Sequence, residues 1–281
     1  MVGEAIEDLV DDLTVVTLSS TVLRKLDSTL GLRRFFRYCG LGGGTLIFAS
    51  HYSSWLGDLQ YAIERTRPLF TFGTGVVDPE FLLHRQSLRP GRRPPDPRTF
   101  EEWIACLRAF PFLSVRGVES WRILNDHGLS NAEVIGDPAL YYSRDSISPK
   151  QNRKRIGINF STYSHFWGDS QASMLQEFLR LIRWLHENRW TVTLFSSMPE
   201  DHALAAQVIE SEGLDRFEIF AEHRDIPAFL TRLEAQDIFV GVKLHTVISA
   251  CCVYTPAIMI GYQPKCYDFM ATMGLERLFV R

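Results

Sequence analysis

Short apolar runs rich in β-branched and aromatic residues alternate along this chain with longer segments whose apolar residues recur every three or four positions. The first pattern predicts strands buried on both faces, and the second predicts amphipathic helices. The clearest helical segment carries Leu175, Phe178, Leu179, Ile182 and Leu185 on one face. Strand–helix alternation of this kind is typical of parallel α/β sheets that are covered by helices on both sides.

The predicted strands form two groups that are separated by a polar, basic segment, 143–155, which contains a proline and has no apolar periodicity. The strands of the first group are predicted at 13–18, 45–49, 68–72, 112–116 and 133–135, and those of the second at 156–160, 191–195, 217–220, 238–242 and 257–260. Further helices are predicted at 202–212, 227–235 and 246–253. We therefore expect an α/β protein with two Rossmann-like domains, 1–145 and 146–281, that face each other across a cleft.

Composition narrows the possible functions. The 281 residues include 30 Lys and Arg and 33 Asp and Glu, a net charge of −3, which argues against a general nucleic-acid-binding surface. The five cysteines show no zinc-type spacing, so we expect reduced thiols and a cytoplasmic location. The longest apolar stretch, 247–260, is too short for a transmembrane segment, and peripheral attachment to the inner membrane stays an open alternative.

The strongest candidate site lies within residues 237–265. A predicted strand ends near Val242, and Lys243, Leu244 and His245 lead directly into a helix. A lysine and a histidine beside a helix N-terminus favour an anionic substrate that needs proton transfer, and Lys265 follows the next strand. The alternative is a capping histidine and a lysine that extends to solvent.

Weaker candidates follow other strands. Ser161 and His165 lie in the loop after the first strand of the second domain, where they either contact a sugar or belong to an ordinary polar loop. Arg116 and Ser120 follow a strand of the first domain, a position that suits a capping pair joined to the next helix. Gly42, Gly43 and Gly44 precede a strand rather than follow one, so they predict a tight turn and not a phosphate-binding loop.

Four stretches resemble the polysaccharide pyruvyl transferase family and occur in the family's order. The first run, GVKLHTVISA followed by TPAIMIGYQPK, is similar to a segment with an Arg-Leu-His triplet, a Thr-Pro strand and a Tyr-x-x-Lys loop. The others are LSVRGVESWRIL, similar to a Ser-x-Arg-Asp segment, EVIGDPAL, similar to an Asp-Pro-Ala strand end, and GGGTLI, similar to a glycine-rich strand start.

The resemblance implies a GT-B-like fold and transfer of pyruvate from phosphoenolpyruvate to a sugar of a polysaccharide or its precursor, which forms a pyruvate ketal in exopolysaccharide or cell-wall biosynthesis. The expected partners are phosphoenolpyruvate and a saccharide acceptor, either lipid-linked or nucleotide-linked. His245 is then the general acid/base, Lys243 and Lys265 bind phosphate or carboxylate, and the Leu244 amide completes the anion site. Ser161, His165 and Arg116 would contact substrate. No metal and no cofactor is expected. The resemblance also implies that the first domain binds the acceptor and the second the donor.

The chain departs from the family pattern at several positions. Lys243 stands where arginine is usual, which loses the bidentate fork, and Gly117 replaces the usual aspartate after Arg116. The family's first strand and last helix have no counterpart here, which suggests a truncated chain. Two alternatives remain open: a GT-B-type glycosyltransferase that uses a nucleotide sugar, and a catalytically impaired homologue that acts as a scaffold.

Overall fold

A computed structural model describes the chain as two compact units, one of Met1–Pro138 with Ala271–Gly274 and the other of Ala139–Met270 with Leu275–Arg281. The short 3₁₀ helix Pro138–Tyr142 packs Leu140 and Tyr142 against the core of the second unit, so residues 139–145 lie with that unit. The residues described are 6–7, 14–16, 25, 38–47, 54–63, 69–81, 96–147, 149–161, 170–222 and 224–281.

The first unit contains short parallel strands and helices. The strands are β1 (Cys39–Gly42), β2 (Thr45–Ile47), β3 (Leu69–Phe72), β4 (Gly75–Val76), β5 (Leu113–Val115) and β6 (Ala132–Val134), and the helices are α1 (Ser54–Ile63), α2 (Pro97–Leu107) and α3 (Val118–Asp126). β1 pairs with β3, β2 with β4, and β5 with β6, always in parallel. Isolated parallel bridges connect Phe70 of β3 to Phe112, just before β5, and Thr74, between β3 and β4, to Val115 of β5.

Glycines interrupt the strands of this unit. Gly43 and Gly44 have φ angles of 67° and 61° and form the predicted turn, which connects β1 to β2. The sequence prediction missed β1 and β4 because the glycine-rich breaks leave strands too short for a clear apolar pattern. The predicted strand 13–18 is wrong at its described residues 14–16, which are irregular, because the Val15 amide donates to the Glu7 carboxylate at 2.6 Å instead of to a neighbouring strand.

The second unit is built on one six-stranded parallel sheet. Its strands are β7 (Arg155–Asn159), β8 (Thr191–Phe195), β9 (Phe217–Phe220), β10 (Ile238–Gly241), β11 (Ala257–Ile260) and β12 (Phe279–Val280), in the order β12-β11-β10-β7-β8-β9. The helices are α4 (Gln171–Glu187), α5 (Pro199–Glu212), α6 (Ile226–Glu234), α7 (Leu244–Cys252) and α8 (Pro264–Thr272). The chain builds outward from β7 in one direction and then from β10 in the other, so a topological switch point lies between these two strands.

Two apolar clusters cover the faces of this sheet. Val192 and Leu194 of β8 belong to a cluster with α4 and α5, whereas Phe195 belongs to a second cluster with α6, α7 and α8. Alternate strand residues point to opposite faces, so the sheet is covered on both sides, as the sequence predicted. Gly157 on β7 permits this packing, because a Cβ there would lie 2.8 Å from the rings of Phe195 and Phe239.

The sequence predicted most of the second unit correctly. The strand bounds of β8, β9 and β11 agree with the prediction, and α4 buries Phe178, Ile182 and Leu185 of the predicted face. The prediction missed β12, whose two residues are too few for a recognisable strand pattern. Across the described ranges, no helix is both long enough and apolar enough to span a bilayer.

Candidate active site

A buried asparagine holds together three strand ends at the switch point of the second unit. Asn159, the last residue of β7, donates from Nδ2 to the Phe195 carbonyl oxygen of β8 at 2.8 Å. Its Oδ1 accepts from the Lys243 amide at 3.0 Å, and its carbonyl oxygen accepts from the Val242 amide at 3.0 Å. Because Asn159 contacts the chain on both sides of β7, it fixes the position at which α7 begins.

Lys243 occupies the N-cap position of α7 and forms an ion pair. Its Nζ lies 2.6 Å from Oδ2 of Asp201, in the first turn of α5, and the two side chains are 17% and 3% exposed. The same carboxylate oxygen accepts from the amide and hydroxyl of Ser197 at 3.4 and 3.3 Å. The cation predicted to bind phosphate therefore has a carboxylate partner within the protein.

The first two residues of α7 differ in burial. The Leu244 side chain packs in the core, whereas His245 is exposed. Thr246 donates from its hydroxyl to the Lys243 carbonyl oxygen at 2.7 Å, which closes the start of the helix. The early amides of α7 place partial positive charge beside an exposed imidazole, an arrangement that suits an anion needing proton transfer.

Lys265 lies in the first turn of α8, directly after β11. Its Nζ is 5.2 Å from the centroid of the Tyr262 ring, a cation–π contact. β11 pairs in parallel with β10, so the residues that follow these two strands lie at the same edge of the sheet. The structure thus brings Lys243, Leu244, His245 and Lys265 to one edge of the second unit.

The remaining predicted residues are placed differently. Ser161 is buried two residues beyond the end of β7, at the same edge of the sheet. His165 lies outside the described residues. Arg116 belongs to the first unit, where it follows β5.

Arg116 is almost completely buried, and the described hydrogen bond and ion pair of its side chain are with groups of its own unit. Its Nη2 donates to the Thr45 hydroxyl at 2.5 Å, and Nη1 lies 3.7 Å from Oδ2 of Asp137, with side chains 2% and 7% exposed. A Cβ on Gly75 would lie 2.7 Å from the guanidinium, so the side chain packs against that backbone. Ser120 accepts from the Val76 amide at 2.9 Å. These contacts favour a structural role for Arg116 inside its own unit, but not the predicted capping pair, because the N-cap of α3 is Gly117, which has no side chain for a cap hydrogen bond.

Sequence reasoning did not single out Asn159 or Asp201. Each carried a recognisable signal: Asn159 is a polar residue at the end of an apolar strand, and Asp201 is an acidic residue in the first turn of a helix that follows a strand. Asp137 also proves to be the ion-pair partner of Arg116.

Comparison with known proteins identifies the family. The sequence model of the polysaccharide pyruvyl transferase family matches residues 25–264. The chain belongs to this family. The match covers β7, β10 and α7, so this pyruvyl transferase family member carries its Lys243–His245 turn within the matched region. None of the curated protein sequences matches the chain significantly.

Solved structures agree on the fold of this pyruvyl transferase family member. S. aureus MnaA in a co-structure with UDP is 13% identical, with a TM-score of 0.56, over 94% of this chain and 74% of that chain. A UDP-GlcNAc 2-epimerase from Methanocaldococcus jannaschii is 10% identical, with a TM-score of 0.55, over 88% of this chain and 68% of that chain. The predicted GT-B-like α/β fold class is confirmed.

Proposed function

We propose that this protein transfers the pyruvyl group of phosphoenolpyruvate to a saccharide and forms a pyruvate ketal. The observation that carries the proposal is the family match over residues 25–264. The geometry supports it, because an exposed imidazole, two ammonium groups and a helix N-terminus share one edge of the second unit. A donor with a phosphate and a carboxylate requires fixed positive charge of this kind.

The reaction requires one proton-transfer group. His245 delivers a proton to the methylene carbon of phosphoenolpyruvate, and a sugar hydroxyl bonds to the neighbouring carbon. The bond from that carbon to the phosphate oxygen breaks, and a second sugar hydroxyl completes the ketal. The two hydroxyl protons balance the equation: one replaces the proton delivered by His245, and the other leaves with inorganic phosphate. Lys243, Lys265 and the Leu244 amide bind the donor's anionic groups, and Ser161 lies beside them at the same sheet edge.

The test is incubation of the protein with phosphoenolpyruvate and a panel of lipid-linked and nucleotide-linked saccharides. We expect acceptor-dependent release of phosphate and a ketal methyl signal in the NMR spectrum of the product. His245→Ala should reduce the rate by about 10²- to 10⁴-fold, the range of general acid–base catalysis. His186→Ala is the matched control, because His186 lies near the C-terminal end of α4, away from the carboxyl edge, and should leave the rate unchanged.

Two alternative results would contradict the proposal. Saturable binding of a nucleotide sugar without binding of phosphoenolpyruvate would favour a glycosyltransferase, the second function that the sequence left open. A folded protein that binds neither donor would favour a scaffold. A His245→Ala variant with full activity would leave the reaction in place but remove the role assigned to this imidazole.

A further inference from the structure

The Lys243–Asp201 ion pair crosses the end of the central strand of the candidate site. Asp201 lies on α5, which follows β8, and Lys243 follows β10, with β7 between these two strands in the sheet. Beneath the pair, Asn159 fixes the Lys243 backbone, so both ends of this lysine are held. A lysine that only extended to solvent would need neither contact.

The two members of the pair differ in their accessibility. Asp201 is buried, and its Oδ2 accepts from Lys243 and from two groups of Ser197. Lys243 keeps part of its side chain exposed. An ammonium has three N–H donors, so the contact with Asp201 leaves two for other acceptors. The lysine is therefore the member of the pair that solvent reaches, while the carboxylate lies in the interior.

We propose that Asp201 is a positioning residue that holds the Lys243 ammonium at the sheet edge for binding of the anionic donor. This inference rests on the proposed function. A lysine has a flexible four-carbon stem, and ordering it when substrate binds costs conformational entropy. A buried carboxylate that restricts the stem beforehand removes that cost and so strengthens donor binding.

A different role for Asp201, neutralisation of the Lys243 charge, predicts the opposite change in donor binding. If Asp201 merely neutralised Lys243, removing its charge would raise the positive potential at the site and tighten the binding of a phosphorylated donor. If Asp201 positions Lys243, the same change weakens donor binding. Because a ground-state contact affects KM more than kcat, the kinetic constants separate the two roles.

The experiment measures KM and kcat for phosphoenolpyruvate in Asp201→Asn, Asp201→Glu and the control Glu200→Gln. Glu200 is an exposed neighbour in the same helical turn, so its substitution removes the same charge without touching the pair. We expect Asp201→Asn to raise KM about 10- to 100-fold, the range of a charge-assisted hydrogen bond, with kcat nearly unchanged. Asp201→Glu should give an intermediate KM, and Glu200→Gln should match the wild type.

A lower or unchanged KM in Asp201→Asn overturns the proposal, and so does a fall in kcat at constant KM. Circular dichroism shows whether each variant folds. If Asp201→Asn does not fold, Asp201→Glu decides, because it keeps the charge and moves it by one methylene. An unchanged KM in that variant then overturns the proposal.

Calorimetric titration with phosphoenolpyruvate separates this inference from the proposed function. A wild-type protein that binds phosphoenolpyruvate but forms no ketal contradicts the proposed function alone. The dissociation constant of Asp201→Asn then still decides the inference. We expect it to exceed the wild-type dissociation constant about tenfold or more. A wild-type protein that does not bind phosphoenolpyruvate overturns both.

Discussion

Each of the two units pairs a basic residue with an aspartate just beyond the carboxyl end of a parallel strand, but the pairs differ in burial and distance. Arg116 and Asp137 are both buried, and Nη1 of the arginine lies 3.7 Å from Oδ2 of the aspartate. Lys243 and Asp201 are 2.6 Å apart, and the lysine is partly exposed. The first cation also packs against the backbone of Gly75, which closes it off further.

This difference teaches that position at a strand end does not by itself make a cation a ligand-binding group. The two terminal nitrogens of Arg116 contact Thr45 and Asp137 inside its own unit, which favours a structural role for its charge. Lys243 lies at the N-terminus of α7 beside an exposed histidine, and its side chain stays partly exposed although it pairs with Asp201. Burial therefore separates two residues that look equivalent in the sequence.

The largest expected stability effect is at Arg116. Substitution by methionine removes the guanidinium beside the buried Asp137 carboxylate, and should lower the free energy of unfolding by about 3–5 kcal/mol. Urea denaturation measures this loss. Arg122→Met is the control, because Arg122 forms an exposed pair with Glu119 and should lose less than about 1 kcal/mol. Equal losses in both variants would end the structural interpretation of Arg116.

A smaller stability effect is expected at Lys243. Lys243→Met should lower the free energy of unfolding by about 1–3 kcal/mol, because Asp201 keeps its contacts with Ser197. The double variant Lys243→Met with Asp201→Leu should recover much of that loss, since it leaves no unpaired buried charge. Neither variant should bind phosphoenolpyruvate well in calorimetry. A double variant that binds the donor like the wild type would remove Lys243 from the site.

The smallest expected effect is on the pH dependence of stability, and it involves one half-buried thiol in each unit. Burial raises the pKa of Cys251 on α7 to about 12, and burial also raises the pKa of Cys106 on α2. The unfolded thiol ionises near pH 9 while the folded Cys251 stays protonated, so stability falls as the pH rises between these values. Between pH 8 and 10, the free energy of unfolding measured by urea denaturation should fall by about 1 kcal/mol less in Cys251→Ala than in the wild type.

Cys106→Ala is the matched substitution in the first unit. It should likewise reduce the fall of the free energy of unfolding with rising pH. Alkylation with iodoacetamide gives a second measurement, because a protonated, buried thiol reacts slowly. A Cys251 that reacts at pH 8 as fast as a thiol of the unfolded chain would contradict the raised pKa.

The fold was predictable because apolar periodicity is a local property. Segments such as 191–195 and 217–220 are bounded by clear breaks, so their strands could be assigned from the sequence alone. β1 and β4 were not, since glycines divide the strands of the first unit into pieces of two to four residues. The candidate turn at Lys243 could also be predicted from local sequence, because a Lys-Leu-His triplet stands between a predicted strand and a predicted helix.

The partners of these residues could not be predicted in the same way. Asp201 lies 42 positions before Lys243, and Thr45 lies 71 positions before Arg116. Such contacts depend on the order of strands in the sheet and on the rotation of each helix, and neither is encoded by local spacing. The distinction between a buried arginine and an accessible lysine therefore required the structure.

The hydrogen bonds of the Asn159 side chain have a consequence for chemical ageing of the protein. Its amide group donates to the end of β8 and accepts from the Lys243 amide at the start of α7, so the two ends of the group are not interchangeable. Deamidation would replace the donor with an oxygen and set two acceptors against each other at the Phe195 carbonyl. A one-dalton change at this single position would then weaken the contact between β7 and β8 at their carboxyl ends, while the acceptor for the Lys243 amide would remain.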